Sequence, residues 1–313
     1  MATADVTIFG AGAFGLSVGF ACAVRGASVR VIDPHGVAAG SSGGIVGALA
    51  PHVPENWNDK KAFQFESLIA AASFWAKVEE MSGQETGYLR SGRLQPLNDE
   101  RAVELARARE KTSSELWQGL ADWSIVSAKD FGDWAPQSAT GLLVRDTLTA
   151  RIHPRMATQA LAAAVVSLGG EVVREGPATG HIVHATGWRG LIDLSAAMSK
   201  PVGNGVKGQA ALLRYDAAAL PQLFADSLHI VPHVDGTVAI GSTSEREFED
   251  PTAVDGQLED VIARAILAFP VLKDAPVIER WAGVRPRAKS RAPMLGKHPL
   301  NSGEFIANGG FKI

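Results

Sequence analysis

The sequence predicts an α/β protein in which a parallel-sheet domain is interleaved with an α+β domain built on an antiparallel sheet. Three observations predict this class: a glycine-rich turn between two apolar runs near the amino terminus, a second helix-strand unit after residue 150, and strand-hairpin patterning after residue 208. The 313 residues are enough for one large domain or two ordinary ones.

Composition excludes several classes of protein. Hydrophobic residues make up 46% of the chain, charged residues 20%, and the net charge of −3 gives no sign of a nucleic-acid surface. The single cysteine, Cys22, cannot form an intrachain disulfide. Because the amino terminus has no signal-peptide pattern and no apolar run reaches about 18 residues, we expect a cytoplasmic protein without a membrane span.

The stretch IFGAGAFG holds Gly10, Gly12 and Gly15 in a G-x-G-x-x-G pattern. It follows an apolar run at residues 6–9 and precedes a helix-compatible stretch, which is the context of a dinucleotide site. The first glycine allows a tight turn, the second lets backbone amides approach a pyrophosphate, and the third lets helix and strand pack closely. The helix amino terminus then faces the negative charge of the ligand.

The next apolar run, residues 28–32, ends at Asp33, eighteen residues after Gly15. A carboxylate at this point can accept hydrogen bonds from the adenosine ribose and repels a 2′-phosphate, so NADP is disfavoured while NAD and FAD stay open. The following loop, residues 36–55, is rich in glycine and serine. Its small residues suit a backbone that passes close to a long ligand, whereas a simple NAD domain would normally enter another helix.

The remaining elements follow from periodicity and capping residues. In the first half we predict a helix within residues 55–82, a helix capped by Asn98 or Asp99, a helix at 155–168, and strands at 171–174 and 181–184. In the second half we predict strands at 210–215 and 277–284, a helix at 258–269, and a hairpin of 229–234 and 237–243 around Asp235-Gly236. We predict two discontinuous domains: a dinucleotide-binding domain, which becomes the FAD-binding part once FAD is favoured, at residues 1–85, 141–207 and 280–313, and a substrate domain at residues 86–140 and 208–279.

Several stretches together resemble one family along nearly the whole chain. They are GSSGGIVGALAPH at 40–52, YLRSGRLQPL at 88–97, IHPR at 152–155, HATG at 184–187, VKGQAALLRYD at 206–216, HIVPHVDGTVAIGSTSE at 229–245, WAGVRPRAKSRAPMLG at 281–296 and ANGGFKI at 307–313. In this order they resemble the D-amino-acid oxidase and glycine oxidase type of FAD-dependent oxidoreductase. The resemblance favours FAD over NAD and implies a flavoprotein-type Rossmann domain beside an antiparallel-sheet substrate domain.

The resemblance implies which residues bind FAD. They are Gly10, Gly12, Gly15, Asp33, Ser41, Ser42, Gly44, Ile45, Val173, Ala185, Gly187, Gly309, Gly310, Phe311 and Lys312. It also implies the reaction, in which an amine or amino acid loses a hydride from its α-carbon to flavin N5 and the imine is hydrolysed to an oxo acid.

Three residues are candidates for the catalytic site. Arg285 of A-G-V-R-P matches the family arginine that clamps the substrate carboxylate, a geometry that arginine supplies better than lysine. His229 stands where the family often has a tyrosine, and imidazole can donate one hydrogen bond in its place. His52 closes the glycine-serine loop and could line the same cavity. The histidine spacings indicate no metal site.

Two alternatives stay open beside an amine oxidase that passes electrons to oxygen or another acceptor. One is the oxidase module of a tRNA wobble-uridine modification enzyme, which the Gly47-Ala-Leu-Ala-Pro51 pattern resembles and the acidic net charge opposes. The other is a non-catalytic flavin-binding subunit of a larger dehydrogenase. We expect no nucleic-acid partner and leave homo-oligomer formation open.

The sequence departs from the family pattern in two places. Residues 175–180 replace a small β-meander that relatives usually have, so we expect a tight turn there. Relatives also continue past G-G-F-K-I into a helix whose amino terminus faces the flavin, whereas this sequence ends at Ile313. We expect that difference to weaken FAD binding.

Overall fold

The computed structural model describes residues 3–311, and its strands form two large sheets and one small one. The smaller of the large sheets has six strands in the order β15-β16-β9-β1-β2-β8. All its neighbouring pairs are parallel except β15 with β16. The strands are β1 (Val6–Phe9), β2 (Val29–Ile32), β8 (Glu171–Val173), β9 (His181–His184), β15 (Met294–Lys297) and β16 (Phe305–Asn308).

The larger sheet has eight strands in the order β14-β10-β13-β12-β11-β4-β6-β5, and only its β11–β4 pair is parallel. The strands are β4 (Arg93–Leu97), β5 (Trp123–Ser127), β6 (Leu142–Asp146), β10 (Gly203–Arg214), β11 (Gln222–Ala225), β12 (Leu228–Pro232), β13 (Thr237–Gly241) and β14 (Val277–Ala288). A two-stranded ribbon, β3 (Ala48–Leu49) with β7 (Ala150–Arg151), completes the set. The predicted combination of parallel and antiparallel sheets is confirmed.

Four of the helices in the described chain begin at a residue whose side chain caps the first turn. The α-helices are α1 (Ala13–Ala23), α2 (Asp59–Ser82), α3 (Glu100–Leu116), α4 (Pro154–Ser167), α5 (Gly187–Ala197) and α6 (Gly256–Ala268). Side chains of Asn58, Asp99, His153 and Asp255 accept a hydrogen bond from the first turns of α2, α3, α4 and α6. Gly83 ends α2 in the left-handed conformation, with φ of 66°. No helix among residues 3–311 is long and apolar enough to cross a membrane.

The larger sheet has two unlike faces. Its back face packs on α6 through Leu213, Ile230 and Ile240. We call the opposite side the front face: it carries Val231, Ala239 and Trp281, and the loop containing Ile45 covers part of it. Because alternate residues of a strand share a face, the register of β14, β10, β13 and β12 fixes which side chains point forward.

The connection from β8 to β9 is not the tight turn that we expected. Residues 174–180 contain no hydrogen-bonded turn, and they cross one face of the six-stranded sheet. The Pro177 carbonyl accepts from Arg30 of β2 at 3.1 Å, and Thr179 exchanges hydrogen bonds with Thr7 of β1. A tight turn is impossible because β8 and β9 run parallel and are separated by β2 and β1.

The predicted domain boundaries remain a prediction. Strand pairing in the larger sheet bears on where they lie. Strand β6, which we assigned to the FAD-binding part, pairs with β4 and β5 in the larger sheet. The boundaries at 207/208 and 279/280 fall inside β10 and β14, which pair with each other along almost their whole length.

Candidate active site

The glycine turn after β1 is shaped by contacts too close for any side chain. A Cβ on Gly10 would lie 2.2 Å from the Ala185 carbonyl oxygen, and Gly10 has φ of 111°. A Cβ on Gly15 would lie 1.9 Å from the Gly10 oxygen and 3.2 Å from the Ala185 Cβ. The two glycines therefore let α1 and the loop after β9 close over the carboxyl end of β1.

The amino terminus of α1 is open to an anion. Its N-cap, Gly12, has no side chain to cap it, and the first turn contains no acidic residue. The hydroxyl oxygen of Ser42, from the glycine-serine loop, accepts from the Ala13 N–H at 2.9 Å, and it lies 3.1 Å from where a Gly12 Cβ would stand. The backbone amides and the helix dipole at this point favour a phosphate.

Asp33 lies at the carboxyl end of β2, beside this turn. One carboxylate oxygen accepts from the Ala11 N–H at 2.9 Å, and the other accepts from the His35 N–H at 3.0 Å. The Asp33 N–H donates to the Val173 carbonyl at 3.0 Å, which brings the end of β8 to the same edge. The structure thus brings Asp33 and Val173 together next to the glycine turn.

The Ala185-Thr186-Gly187 motif after β9 and the Gly309-Gly310 turn after β16 meet on the side of β1 that lies away from β2. Ala185 donates its N–H to Phe9 at 2.7 Å, and Gly187 opens α5 with φ of 64° and accepts from Asn308 at 2.9 Å. Gly310 packs on the ring of Phe14 in α1, where a Cβ would approach to 2.5 Å. Gly309, with φ of 78°, makes the turn between Asn308 and Gly310. Lys312 lies outside the described residues.

The glycine-serine loop runs from this edge to the front face of the larger sheet. Ser41 begins a single 3₁₀ turn that ends at Gly43, and a Cβ on Gly44 would approach the Trp281 ring to 3.2 Å. Ile45 is fully buried against the front face. The loop therefore connects the glycine turn with the sheet that carries Arg285.

Two side chains hold this loop in place. The Arg155 guanidinium donates to the Gly43 carbonyl at 2.7 Å and forms a two-bond ion pair with Glu279 of β14. His233 donates from Nε2 to the Ile45 carbonyl at 2.8 Å and is fully buried. Burial lowers the pKa of His233 to about 4, so the imidazole is neutral near pH 7.

Arg285 points from β14 across the front face. Its Nη2 donates to the Thr243 carbonyl at 3.0 Å, and its guanidinium carbon lies 4.9 Å from the centre of the Phe311 ring. Nε is buried with no hydrogen-bond partner, and the guanidinium forms no ion pair with residues 3–311. Burial lowers the pKa of Arg285, an effect opposed by the more distant Glu245 carboxylate.

His229 shares the front face with Arg285. His229 of β12 pairs with Gly241 of β13, and Gly241 pairs with Ala210 of β10. Ala210 in turn pairs with Trp281 of β14. The His229 ring lies 4.7 Å from the ring of Phe224 on the neighbouring strand β11. The structure therefore brings His229 and Arg285 to one surface from strands about fifty residues apart in sequence.

His52 is held by a helix rather than by the sheet. Its backbone N–H donates to Gln64 of α2 at 2.7 Å, and its Nδ1 makes a short hydrogen bond to the same side-chain oxygen. These contacts associate His52 with α2, and its place in the cavity stays a prediction.

Sequence reasoning missed four residues that shape this site: Trp281, Arg155, His233 and Arg287. Trp281 and Arg287 could have been found, because W-A-G-V-R-P-R places them at alternate positions with Arg285. Arg155 and His233 had no such signal, since their partners at Gly43 and Ile45 are more than 100 residues away. Within residues 3–311, no three His, Cys, Asp or Glu side chains are placed to hold a metal ion.

The fold and the glycine turn define a protein of the flavoprotein-type dinucleotide-binding class. A family model described as "FAD dependent oxidoreductase" (DAO) matches residues 5–312. The chain therefore belongs to the DAO family of FAD-dependent oxidoreductases. The predictions of the family and of FAD as its cofactor are confirmed.

Individual relatives that align along nearly the whole chain have low sequence identity to it. The chain is 24% identical to a glycine oxidase of Geobacillus kaustophilus over 98% of its own length and 88% of that protein. It is 26% identical to a bifunctional ThiO/ThiG protein of Nostoc over 94% of its length, but it spans only 48% of that protein. Among solved structures, a G. kaustophilus glycine oxidase gives a TM-score of 0.83 at 20% identity, covering 99% and 90% of the two chains. An iminodiacetate oxidase of Chelativorans gives 0.82 at 20% identity, covering 98% and 90%.

The residues at the edge of the six-stranded sheet fit FAD. Gly10 and Gly15 let the strand, the helix and the loop after β9 pack closer than side chains would permit, and the first turn of α1 offers backbone amides to a pyrophosphate. Asp33 lies beside the glycine turn, and its carboxylate is of the type that accepts hydrogen bonds from an adenosine ribose. When bound, FAD accepts the hydride of an oxidised substrate, and the protein binds and orients that substrate.

Proposed function

We propose that this protein oxidises a small amino acid or a related primary or secondary amine. Arg285 holds the substrate carboxylate, the α-carbon C–H bond breaks, and its hydride passes to FAD. The nitrogen loses a proton as the imine forms, and water then converts the imine to an oxo acid and a free amine. Oxygen or another acceptor removes the two electrons from the cofactor.

One observation carries this proposal. Arg285 is a largely buried cation that forms no ion pair with residues 3–311, and its Nε has no hydrogen-bond partner. A buried cation is costly unless an anion pairs with it, so the site is suited to a ligand that brings a carboxylate. Family membership adds FAD to that surface, and glycine oxidase relatives support an amino-acid substrate.

His229 completes the clamp in this proposal. It stands on the front face, and imidazole can donate one hydrogen bond to the carboxylate held by Arg285. Phe224 supports one side of its ring at 4.7 Å. The role is positioning of the carboxylate, with the charge supplied by Arg285.

The test is anaerobic reduction of the bound flavin by a panel of glycine, sarcosine, proline and D-amino acids. We expect Arg285→Met to lower kcat/KM by about 100- to 5000-fold, since a buried charged hydrogen-bonding pair is worth about 3–5 kcal/mol. The matched control is Arg280→Met, on the same strand but paired with Glu259 on the exposed side. The proposal is wrong if no amine reduces the flavin or if Arg285→Met behaves as Arg280→Met.

A further inference from the structure

A second arginine stands next to the carboxylate clamp. Arg287 follows Arg285 by two residues on β14, so the two side chains leave the same face of the strand. At about 3.3 Å per residue, their Cα atoms are roughly 6.6 Å apart. Pro286, between them, belongs to the opposite face of the strand. Arg287 is half-buried.

Both guanidinium groups lie on one aromatic ring. The guanidinium carbon of Arg285 is 4.9 Å from the centre of the Phe311 ring, and that of Arg287 is 5.6 Å from it. The ring therefore brings two cations to one place on the front face. An aromatic ring stabilises a cation only modestly and supplies no compensating negative charge.

Neither cation has a carboxylate in direct contact within the described chain. Some other arginines of the larger sheet and its borders have such partners, as Arg93 has Asp146 and Arg155 has Glu279, whereas the buried Arg151 forms no ion pair with residues 3–311. Arg285 and Arg287 form no ion pair with residues 3–311. Two like charges side by side repel each other, and this arrangement is best stabilised by a ligand that brings two negative charges.

We propose that Arg287 is a specificity-determining residue that binds a second acid group, so that the substrate class is an amine carrying two carboxylates. This inference rests on the proposed function. The α-carboxylate lies on Arg285, and the distal carboxylate lies on Arg287 and is unchanged by the reaction. With bonds of about 1.5 Å, two or three linking atoms hold the carboxylates about 4–5 Å apart, within reach of side chains that start roughly 6.6 Å apart.

The reaction is the same as for a small amino acid. The hydride leaves the carbon that bears the nitrogen and the Arg285-bound carboxylate, the nitrogen loses a proton, and water hydrolyses the imine. Arg287 takes no part in proton or hydride transfer. Its effect is to raise the affinity for one class of amine, because a planar guanidinium can donate two hydrogen bonds to a carboxylate.

The test compares matched amines that differ in one acid group. Flavin reduction in the purified holoenzyme is measured anaerobically with aspartate against asparagine, each as both enantiomers, and with iminodiacetate against sarcosine. We expect the dicarboxylate of each pair to be favoured in kcat/KM, and Arg287→Met to lower that preference by about 10- to 100-fold through KM. Arg287→Lys should restore part of it, and Arg280→Met, on the other face, is the control.

Equal losses for both members of each pair in Arg287→Met would overturn the proposal, because Arg287 would then act on the flavin or the fold. A second measurement separates it from failure of the proposed function. Succinate and acetate are titrated calorimetrically into the protein and its Arg287→Met variant. Selective weakening of succinate supports the two-acid site even if no amine reduces the flavin, and equal binding of succinate by both proteins contradicts it.

Discussion

The carboxyl edge of the six-stranded sheet and the front face of the eight-stranded sheet differ in the atoms that they expose: mainly backbone atoms at the edge and side chains on the face. At the edge, the surface is mainly backbone: a Gly10 Cβ would lie 2.2 Å from the Ala185 oxygen, and the first turn of α1 has no acidic side chain. On the front face, the surface is long side chains, such as Arg285 with its guanidinium on the Thr243 carbonyl. We therefore expect the edge to bind a ligand through backbone amides and the front face to bind one through charged side chains.

This difference determines how each region fails. A side chain added at the edge meets backbone atoms that cannot move without shifting β1 or β9. A side chain removed from the front face leaves the strands in place and removes only a charge. Substitutions at the edge should therefore abolish cofactor binding, and substitutions on the face should change affinity and specificity.

The largest effect is expected at Gly15. In Gly15→Ala the new Cβ would lie 1.9 Å from the Gly10 oxygen, so α1 must move away from β1. We expect a loss of more than about 3 kcal/mol, which lowers FAD affinity by over 100-fold. The measurement is flavin retained on purification and the Kd for FAD by fluorescence quenching.

Gly40→Ala is the matched control for Gly15→Ala. Gly40 lies in the same site, has φ of −98°, and has no atom within 4 Å of the position that a Cβ would take. We expect FAD affinity close to that of the unsubstituted protein. Equal Kd values for Gly15→Ala and Gly40→Ala would contradict the view that the edge works by excluding side chains.

The same difference explains what could be predicted from the sequence. The glycine turn, the place of Asp33 after β2 and the Asp99 cap of α3 depend on residues close together in the chain, and the local sequence predicted these three features of the backbone. The role of Arg285 came from a family motif. The grouping of Arg285 with Thr243 and Phe311, and of His233 with Ile45, depends on strand register across distant segments, which local periodicity does not contain.

The course of residues 174–180 was mispredicted for the same reason. Six residues between two strands indicate a tight turn only if the strands are neighbours, and local sequence does not give strand order. Arg30 and Thr7, whose side chains hold the crossing segment, lie about 150 residues earlier or more.

A smaller effect, on pH dependence, is expected at His233, which connects the loop to the front face. Its pKa is lowered from 6.5 to about 4 by burial, so the unfolded chain binds a proton that the folded protein does not. Stability is therefore full above pH 6.5 and falls as the pH drops towards 4, by up to about 3 kcal/mol. The groups facing the ring are His153, Asp235 and Arg151.

Chemical denaturation between pH 7.5 and 4.5 measures this contribution. We expect His233→Gln, whose amide can still donate to the Ile45 carbonyl, to flatten the decline in the free energy of unfolding. Some slope should remain, because burial also lowers the pKa of His153. The exposed His35→Gln is the control and should keep the full slope. An unchanged slope in His233→Gln would show that another group carries the pH dependence.

The smallest effect is expected at Arg155, where the two regions are joined by a partly exposed ion pair. Its side chain is 38% exposed and that of Glu279 is 34% exposed, so water screens their attraction. We expect Arg155→Met to cost about 1 kcal/mol and to weaken FAD binding by about 5-fold, because the hydrogen bond to the Gly43 carbonyl is also lost.

Glu279→Gln separates the two contributions of Arg155. It removes the charge partner but leaves the 2.7 Å bond from Arg155 to Gly43, so we expect less than half the effect of Arg155→Met on the Kd for FAD. If the glycine-serine loop is held through Gly43, the double variant should bind FAD as Arg155→Met does. A larger loss in the double variant would mean that Glu279 supports the loop independently, and that the front face contributes to the cofactor site through charge as well as through position.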